Sequence, residues 1–236
     1  MQAVILAAGK GTRMGELVAH VPKPMIQING EPLLGYKLDA LPLDVKQVII
    51  VVGHLGNVVR EYFGAEYRGR QLTYVVQENP TGGTADALWQ AKPLLTERFF
   101  VMNGDNIYVR KDMKECATYE WSALVQTKEH LMRAARVEVD LDNRITGITE
   151  NVGDQEDETS GYANTGLYVL DMRIFDLPQV PRAPDSTEVG LPQTMMQAAK
   201  NINIHAVSAT QWIEIKRPED VEKAAQKIKE VDILAG

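Results

Sequence analysis

Between residues 6 and 15 the chain reads Leu6-Ala7-Ala8-Gly9-Lys10-Gly11-Thr12-Arg13-Met14-Gly15. Gly9 and Gly11 let the backbone turn sharply and bring its N–H groups close to an anion, and Lys10 and Arg13 add charge-assisted hydrogen bonds. The stretch is therefore read as a phosphate cradle. Downstream, Val21-Pro22-Lys23-Pro24-Met25 sets a lysine between two prolines. Proline fixes its own φ and biases the residue before it toward extended geometry, so Lys23 is expected on a stiff, non-helical segment. A lysine held that way, shortly after a phosphate turn, suits a point cation aimed at a reacting phosphate.

Spacing separates the known phosphate turns. A P-loop needs a Gly-Lys pair preceded by an earlier glycine and followed by Ser or Thr, and that pattern is missing here. A dinucleotide fingerprint needs Gly-x-Gly-x-x-Gly, but Gly15 comes one place late, and the second apolar run ends Val52-Gly53-His54 without the acid that would hold a ribose. A glycine turn with no ligand is the plain alternative.

The turn must be carried by something rigid. Val4–Leu6 and Val48–Val52 are uninterrupted apolar runs, as expected of strands buried on both faces. Further strands are expected at 72–76, 98–102, 122–125 and 166–170, with helices at 32–41, 55–63, 84–92, 111–118 and 218–230. Pro218, Glu219 and Asp220 suit the first turn of the last helix. The alternation implies an open, mostly parallel α/β sheet flanked by helices, in which ligands bind at the carboxyl ends of the strands. The acidic stretch Asn151–Ser160 is expected to be a solvated loop.

Composition narrows the class. With 236 residues, 44% apolar and 24% charged, the chain can bury a core unaided. One domain over 1–236 is expected, with a nucleotide-binding half near 1–110 and an acceptor half near 111–236. The single cysteine, Cys116, excludes a disulfide framework and a Cys₄ zinc site, and the four histidines, His20, His54, His130 and His205, lack metal-ligand spacing. A net charge of −7 argues against nucleic acid as partner, so any anion must be held locally. No apolar run approaches the ~20 residues of a membrane span, and the start of the chain lacks the layout of a signal peptide. A cytoplasmic protein with no membrane partner, assembled as a homodimer through exposed apolar surface, is the expectation.

Leu-Ala-Ala-Gly-Lys-Gly-Thr-Arg-Met, then Pro22-Lys23-Pro24-Met25, then Gln77 with glycines after it, then Asn103-Gly104-Asp105-Asn106, together resemble the sugar-1-phosphate nucleotidyltransferase family. The likeness runs in order along nearly the whole chain. Ala8, where guanylyltransferases usually carry another glycine, brings it nearest to the uridylyl- and thymidylyltransferases. The resemblance implies a Rossmann-like, GT-A-like nucleotidyltransferase fold. It also implies a phosphorus-group-transferring enzyme with Mg²⁺ as cofactor, and a nucleoside triphosphate and a small phosphorylated acceptor as partners. Leu6, Ala8 and Gly9 would approach base and ribose, Gly11 and Thr12 would lie under the phosphates, Arg13 would hold the triphosphate, and Lys23 would contact the α-phosphate and the incoming phosphate. Gln77 would read a pyrimidine edge, its amide offering both donor and acceptor. The family's Gln-to-Gly spacing falls on Gly82, whereas the following Thr84-Ala85 points to Gly83. Asp105 would be the main metal ligand and would also border the acceptor.

The same resemblance marks departures. The family's late Trp-x-Asp is here Trp212-Ile213-Glu214, so Glu214 would be the second metal ligand, and Lys216-Arg217 replace a small neutral pair. Glu150-Asn151-Val152 stands where the family tends to show Glu-Lys-Pro, and Ala134-Ala135-Arg136 where it tends to show Tyr-Gly before a strand, expected here at 137–139. Glu150, Asn164, Thr165 and Arg136 are the acceptor-side candidates, with Arg136 either standing in for the missing cation or marking an acceptor that is not an ordinary hexose. With one catalytic-sized domain expected, the acyltransferase β-helix that some relatives append is not expected. The implied reaction is transfer of a nucleotidyl group, pyrimidine favoured, to a sugar 1-phosphate with release of pyrophosphate. A cytidylyltransferase for a non-sugar phosphomonoester such as phosphocholine is the alternative, and a non-catalytic nucleotide-binding module lies outside enzymes.

Overall fold

Every residue of Gln2–Ala7 is buried, because this strand runs through the middle of a sheet covered on both faces. The structure, a computed structural model, describes residues 1–129, 131, 136–149 and 160–234. Among these, ten strands form the large sheet: Gln2–Ala7 (β1), Gln47–Val52 (β2), Glu66–Tyr67 (β3), Arg70–Val76 (β4), Phe99–Asn103 (β5), Trp121–Lys128 (β6), Arg136–Val139 (β7), Ile145–Thr149 (β8), Gly161–Leu170 (β9) and Ile204–Ser208 (β10). The α-helices are Leu33–Ala40 (α1), Gly56–Phe63 (α2), Gly83–Ala91 (α3), Arg110–Cys116 (α4), Leu191–Met195 (α5) and Pro218–Glu230 (α6).

The sheet is mixed, with the parallel centre expected from the sequence. β1 pairs in parallel with β2 and β5, and β2 with β4. Alternation along β1 then feeds two cores. Ala3, Ile5 and Ala7 pack with Leu34 and Leu38 of α1 and Phe63 of α2 on one face. Val4, Leu6 and Ala8 pack with Ala85 and Leu88 of α3 and Leu191 of α5 on the other.

Beyond β5 the direction changes. β9 runs antiparallel to β5 through Leu167–Leu170 and to β7 through Tyr162–Ala163, with β6 along its other edge. Its register slips between Asn164 and Tyr168, where Gly166 has φ +77. A Cβ at Gly166 would lie 2.2 Å from the Asn103 amide, so only glycine lets β9 pass this close to the end of β5.

The expected strands and helices are all present, shifted at their ends by a few residues. Arg136–Val139 (β7) contains the strand expected at 137–139, whereas the two-residue β3, the strands β8 and β10, and the five-residue α5 lie outside the expected elements. The expected strand at 166–170 is the second half of β9, whose first half, Gly-Tyr-Ala-Asn-Thr, carries little strand signal. Glu150 and the acidic stretch 151–159 lie outside the described residues.

Candidate active site

The carboxyl ends of the central strands fall on one row. Ala7 stands opposite Val52, Val52 opposite Val76, and Leu6 opposite Asn103. Ala8, Gln77 and Asp105 therefore leave the sheet along a single edge, although 97 residues separate the first from the last. Two glycines allow this crowding. Gly53 passes so near the Ala8 carbonyl that a Cβ would sit 2.5 Å from its oxygen, and a Cβ on Gly104 would sit 2.6 Å from the Leu6 oxygen. The Gly104 N–H instead donates to that oxygen at 2.8 Å.

Above this edge lies a cleft of about 540 Å³. Its lining includes five cations, Lys10, Arg13, Lys23, Arg182 and Lys216, against three carboxylates, Asp105, Glu188 and Glu214. A chain of net charge −7 thus gathers positive charge at one place. All of the expected nucleotide-side residues except Gly82 line the cleft, as do Asn164 and Thr165 on the acceptor side and both expected metal ligands. Arg136 is not part of the lining.

The glycine turn is open to the cleft. Ala8 is buried, whereas Gly9, Lys10, Thr12 and Arg13 are exposed. Gly11 takes φ +65 and starts a 3-10 segment, Thr12–Val18. A Cβ on Gly11 would lie 3.2 Å from Lys23 Cβ, so the turn and the lysine pack directly together. Lys23 departs from the extended conformation expected of it. Pro22 is extended, but Lys23–Met25 forms one 3-10 turn, closed by the Ile26 N–H donating to the Lys23 carbonyl at 3.1 Å. The stiffness survives by hydrogen bonding as well as by proline.

Lys23 Nζ donates to Asp105 Oδ2 at 3.0 Å, and Asn106 Nδ2 donates to Asp105 Oδ1 at 3.1 Å. Asn106 is itself fixed, accepting from Trp212 Nε1 at 3.0 Å. Residues 106–108 and 212–214 form an antiparallel ribbon in which Glu214 stands opposite Asn106, and the Ile215 N–H donates to the Asp105 carbonyl at 3.0 Å. Asp105 and Glu214 are thereby neighbours. Lys216 Nζ pairs with Glu214 Oε1 at 2.7 Å. Two hard carboxylates, each balanced by a lysine, are a donor set that suits Mg²⁺ completed by phosphate oxygens and water. Among the described residues no group of three or more His, Cys, Asp or Glu could hold a metal without such help.

Gln77 differs from expectation in what it offers. Its Nε2 donates to the Gly83 carbonyl at 3.0 Å and to Asp86 Oδ2 at 2.8 Å, so its donors are spent and only Oε1 is left for a base. The two candidate glycines also separate. Gly83, at φ +89, and Thr84 face the cleft, whereas Gly82 is buried behind them against Asp86. Thr84 Oγ1 accepts from the Leu191 N–H at 2.9 Å, and the Gly82 carbonyl accepts from the Val189 N–H at 2.9 Å. These bonds dock the 189–191 segment onto the start of α3.

Thr165 holds the bulge of β9: its hydroxyl donates to the Leu124 carbonyl at 2.7 Å, and its carbonyl accepts from Tyr108 Oη at 2.9 Å. Its hydroxyl is turned inward, so the acceptor side meets Asn164 more than Thr165. Two features were not read from the sequence. Arg182 and Glu188 form an ion pair at 3.2 Å on the cleft wall. Lys37, the lone cation in the apolar helix Leu-Leu-Gly-Tyr-Lys-Leu-Asp-Ala, is completely buried, and burial pushes its ammonium down from 10.5 to about 7, with Asp105 opposing and Lys23 reinforcing the shift. An isolated lysine inside an apolar helix was the signal for it.

A family model described as nucleotidyl transferase matches residues 2–231. The chain belongs to the nucleotidyl transferase family. It is 30% identical over 240 residues to the UTP–glucose-1-phosphate uridylyltransferase AglF of Haloferax volcanii, covering 98% of this chain and 97% of that protein. It is likewise 30% identical over 225 residues to the bifunctional protein GlmU of Methanococcus maripaludis, covering 95% of this chain and 53% of that one. The chain thus spans about half the length of several curated relatives it matches. Among solved structures, a putative glucose-1-phosphate thymidylyltransferase from Bacillus anthracis superposes with a TM-score of 0.82 at 21% identity, over 98% of this chain and 96% of the other. That likeness establishes the nucleotidyl transferase fold.

Proposed function

We propose that this nucleotidyl transferase moves a nucleotidyl group, pyrimidine favoured, from a nucleoside triphosphate to a sugar 1-phosphate and releases pyrophosphate. The observation that carries the reading is the Lys23–Asp105 pair, 3.0 Å apart, at the foot of the cationic glycine turn and beside Glu214 in one cleft. Near-full-length similarity to a uridylyltransferase supports it.

In this reading an oxygen of the acceptor phosphate attacks the α-phosphorus in line, a new P–O bond forms, and the bond to the bridging oxygen of pyrophosphate breaks. Two polyanions must meet, so the chain's work is positioning and charge neutralisation. The backbone around Gly9 and Gly11 cradles the triphosphate, with Arg13 and Lys10 along its outer face. Lys23 reaches the α-phosphate and the incoming phosphate. Asp105 and Glu214 would hold Mg²⁺, which when bound offsets charge on the reacting phosphates. Asn164, Arg182 and Lys216 border the end of the cleft assigned to the acceptor. The chain is read as one catalytic unit, nucleotide-binding near 1–110 and acceptor-binding near 111–236.

A cytoplasmic location and a homodimer belong to the same reading. Among the described residues no helix is long and apolar enough to cross a membrane. Leu43 and Tyr62 stand 64% and 53% exposed, in keeping with a contact between copies, which the mass in solution tests.

Pyrophosphate release, measured with Mg²⁺ over a grid of CTP, UTP, dTTP, ATP and GTP against hexose 1-phosphates, phosphocholine and other small phosphomonoesters, decides the matter. Release with a sugar phosphate that is lost in Lys23→Met is the expected result. Release only with a non-sugar phosphate would replace the acceptor by a phosphorylated alcohol or amine, and silence across the grid would defeat the reading.

A further inference from the structure

Gln77 is 8% exposed and sits at the carboxyl end of β4, its own N–H donating to the Val52 carbonyl at 2.9 Å. Its amide nitrogen has two hydrogens, and each has an acceptor: the Gly83 carbonyl at 3.0 Å and Asp86 Oδ2 at 2.8 Å. Neither partner can donate. A flipped amide would set Oε1 against a carbonyl and a carboxylate at once, so the orientation has one solution. The backbone is shaped around that solution. A Cβ on Gly82 would stand 2.2 Å from Asp86 Oδ2, which keeps this position bare and lets the carboxylate reach across the first turn of α3 to Gln77. Asp86 itself is not part of the cleft lining, so it meets a ligand only through Gln77.

The geometry points to Asp86 as a specificity-determining positioning residue: by occupying an amide hydrogen of Gln77 it leaves only Oε1 facing the base, so the bound nucleobase must turn an N–H toward that oxygen. This rests on the nucleotidyl-transfer reading and deepens it. Uracil or thymine can meet the requirement through N3–H, and cytosine through its exocyclic N4 amine. A base presenting only a ring acceptor there would face Oε1 with a lone pair. With Asp86 neutralised to an amide, Gln77 gains a partner that can both donate and accept. Only the Gly83 carbonyl then holds the amide in its orientation, and the requirement weakens.

The test is calorimetric binding of UTP, N3-methyl-UTP, CTP, N4,N4-dimethyl-CTP and, as a base-free probe, inorganic triphosphate. It is run on the unaltered chain, Asp86→Asn, Gln77→Ala and the double variant, with melting temperatures recorded for each. In the unaltered chain the preferred pyrimidine should outbind its methylated counterpart at least ~tenfold, since methylation removes the N–H and leaves Oε1 unpaired. Asp86→Asn should weaken the parent nucleotide about three- to tenfold, shrink the methyl discrimination below about threefold, and leave inorganic triphosphate unchanged. Gln77→Ala should do the same, and the double variant should be no worse than either single one, because both changes act on one contact. In turnover the KM for nucleotide should rise and that for the acceptor should hold.

Three results would overturn the assignment. One is discrimination in Asp86→Asn equal to the unaltered chain's. Another is losses that add in the double variant and extend to inorganic triphosphate, the mark of a helix-start residue with a structural role only. The third is an unaltered chain that binds parent and methylated nucleotides alike. An unaltered chain that binds none of the nucleotides would defeat the nucleotidyl-transfer reading itself, and this inference with it.

Discussion

Lys23 Nζ and Asp105 Oδ2 lie 3.0 Å apart although 82 residues separate them in sequence. The lysine arrives on a 3-10 turn packed against Gly11, and the aspartate arrives from the end of β5 across Gly104. Their side chains are only 11% and 26% exposed. A cation held by a carboxylate this way is aimed before any phosphate arrives, which lowers the cost of ordering it in the reaction.

Lys23→Met keeps the methylenes that pack on Gly11 and deletes the charge. Charged hydrogen bonds are worth about 1.5–3 kcal/mol, so kcat/KM for pyrophosphate release should fall about ten- to a hundredfold. Asp105 still accepts from Asn106 after the change, so the urea midpoint should fall proportionally less than activity does. Equal losses of activity and of stability would make Lys23 a scaffold residue instead.

Gly104→Ala attacks the crossing of β1 and β5. The added methyl would meet the Leu6 oxygen at 2.6 Å and Ala7 Cα at 3.1 Å, both backbone atoms that no rotamer change can move. Overpacking of this kind costs about 1–3 kcal/mol. Because Asp105 is the next residue, the strand shift that relieves the clash should also carry the carboxylate away from Lys23. Denaturation and pyrophosphate release should therefore fail together, and an active, unshifted Gly104→Ala enzyme would contradict the account.

What the sequence made legible was local or edge-on. The glycine turn, the proline-flanked lysine and the carboxylate after an apolar run each carry their chemistry in adjacent residues, and parallel strands send all of them to one edge. Relations made by tertiary pairing were not legible. Nothing in Gln-Glu-Asn-Pro-Thr-Gly-Gly says that Asp86 will take up the Gln77 amide, because that depends on where α3 begins. The Arg182–Glu188 pair rides on a short hairpin, 180–181 with 189–190, whose sequence, broken by Pro181 and Pro184, has no periodicity to read. β8 is a short, half-buried strand next to the stretch expected to be loop, and Gly147 at its centre weakens its strand signal.

Glu214 and Lys216 should act on metal binding in opposite senses. Lys216 holds Glu214 Oε1 at 2.7 Å, and a divalent cation bound by Glu214 must displace it. Lys216→Met should tighten Mn²⁺ binding, read by electron paramagnetic resonance, and lower the Mg²⁺ concentration needed for half-maximal turnover. Glu214→Gln should weaken both several-fold while leaving Asp105 in place. Metal affinity unaffected by either change would remove Glu214 from the ligand set.

Lys37 should make stability depend on pH. Its folded pKa is about 7 against an ordinary 10.5, chiefly through burial. Between these values the unfolded chain binds more protons than the folded one, so this group's contribution to stability rises as pH rises from about 7 toward 10.5. Below about pH 7 both states carry the charge, and the folded one bears the whole cost of burying it. Lys37→Met fits a similar volume without the charge. It should raise the urea-unfolding free energy at pH 6–7 by an amount on the order of a few kcal/mol, and that gain should shrink toward zero near pH 10.5. A gain that stays constant across this range would show that the packing of methionine, and not removal of a buried ammonium, produces it.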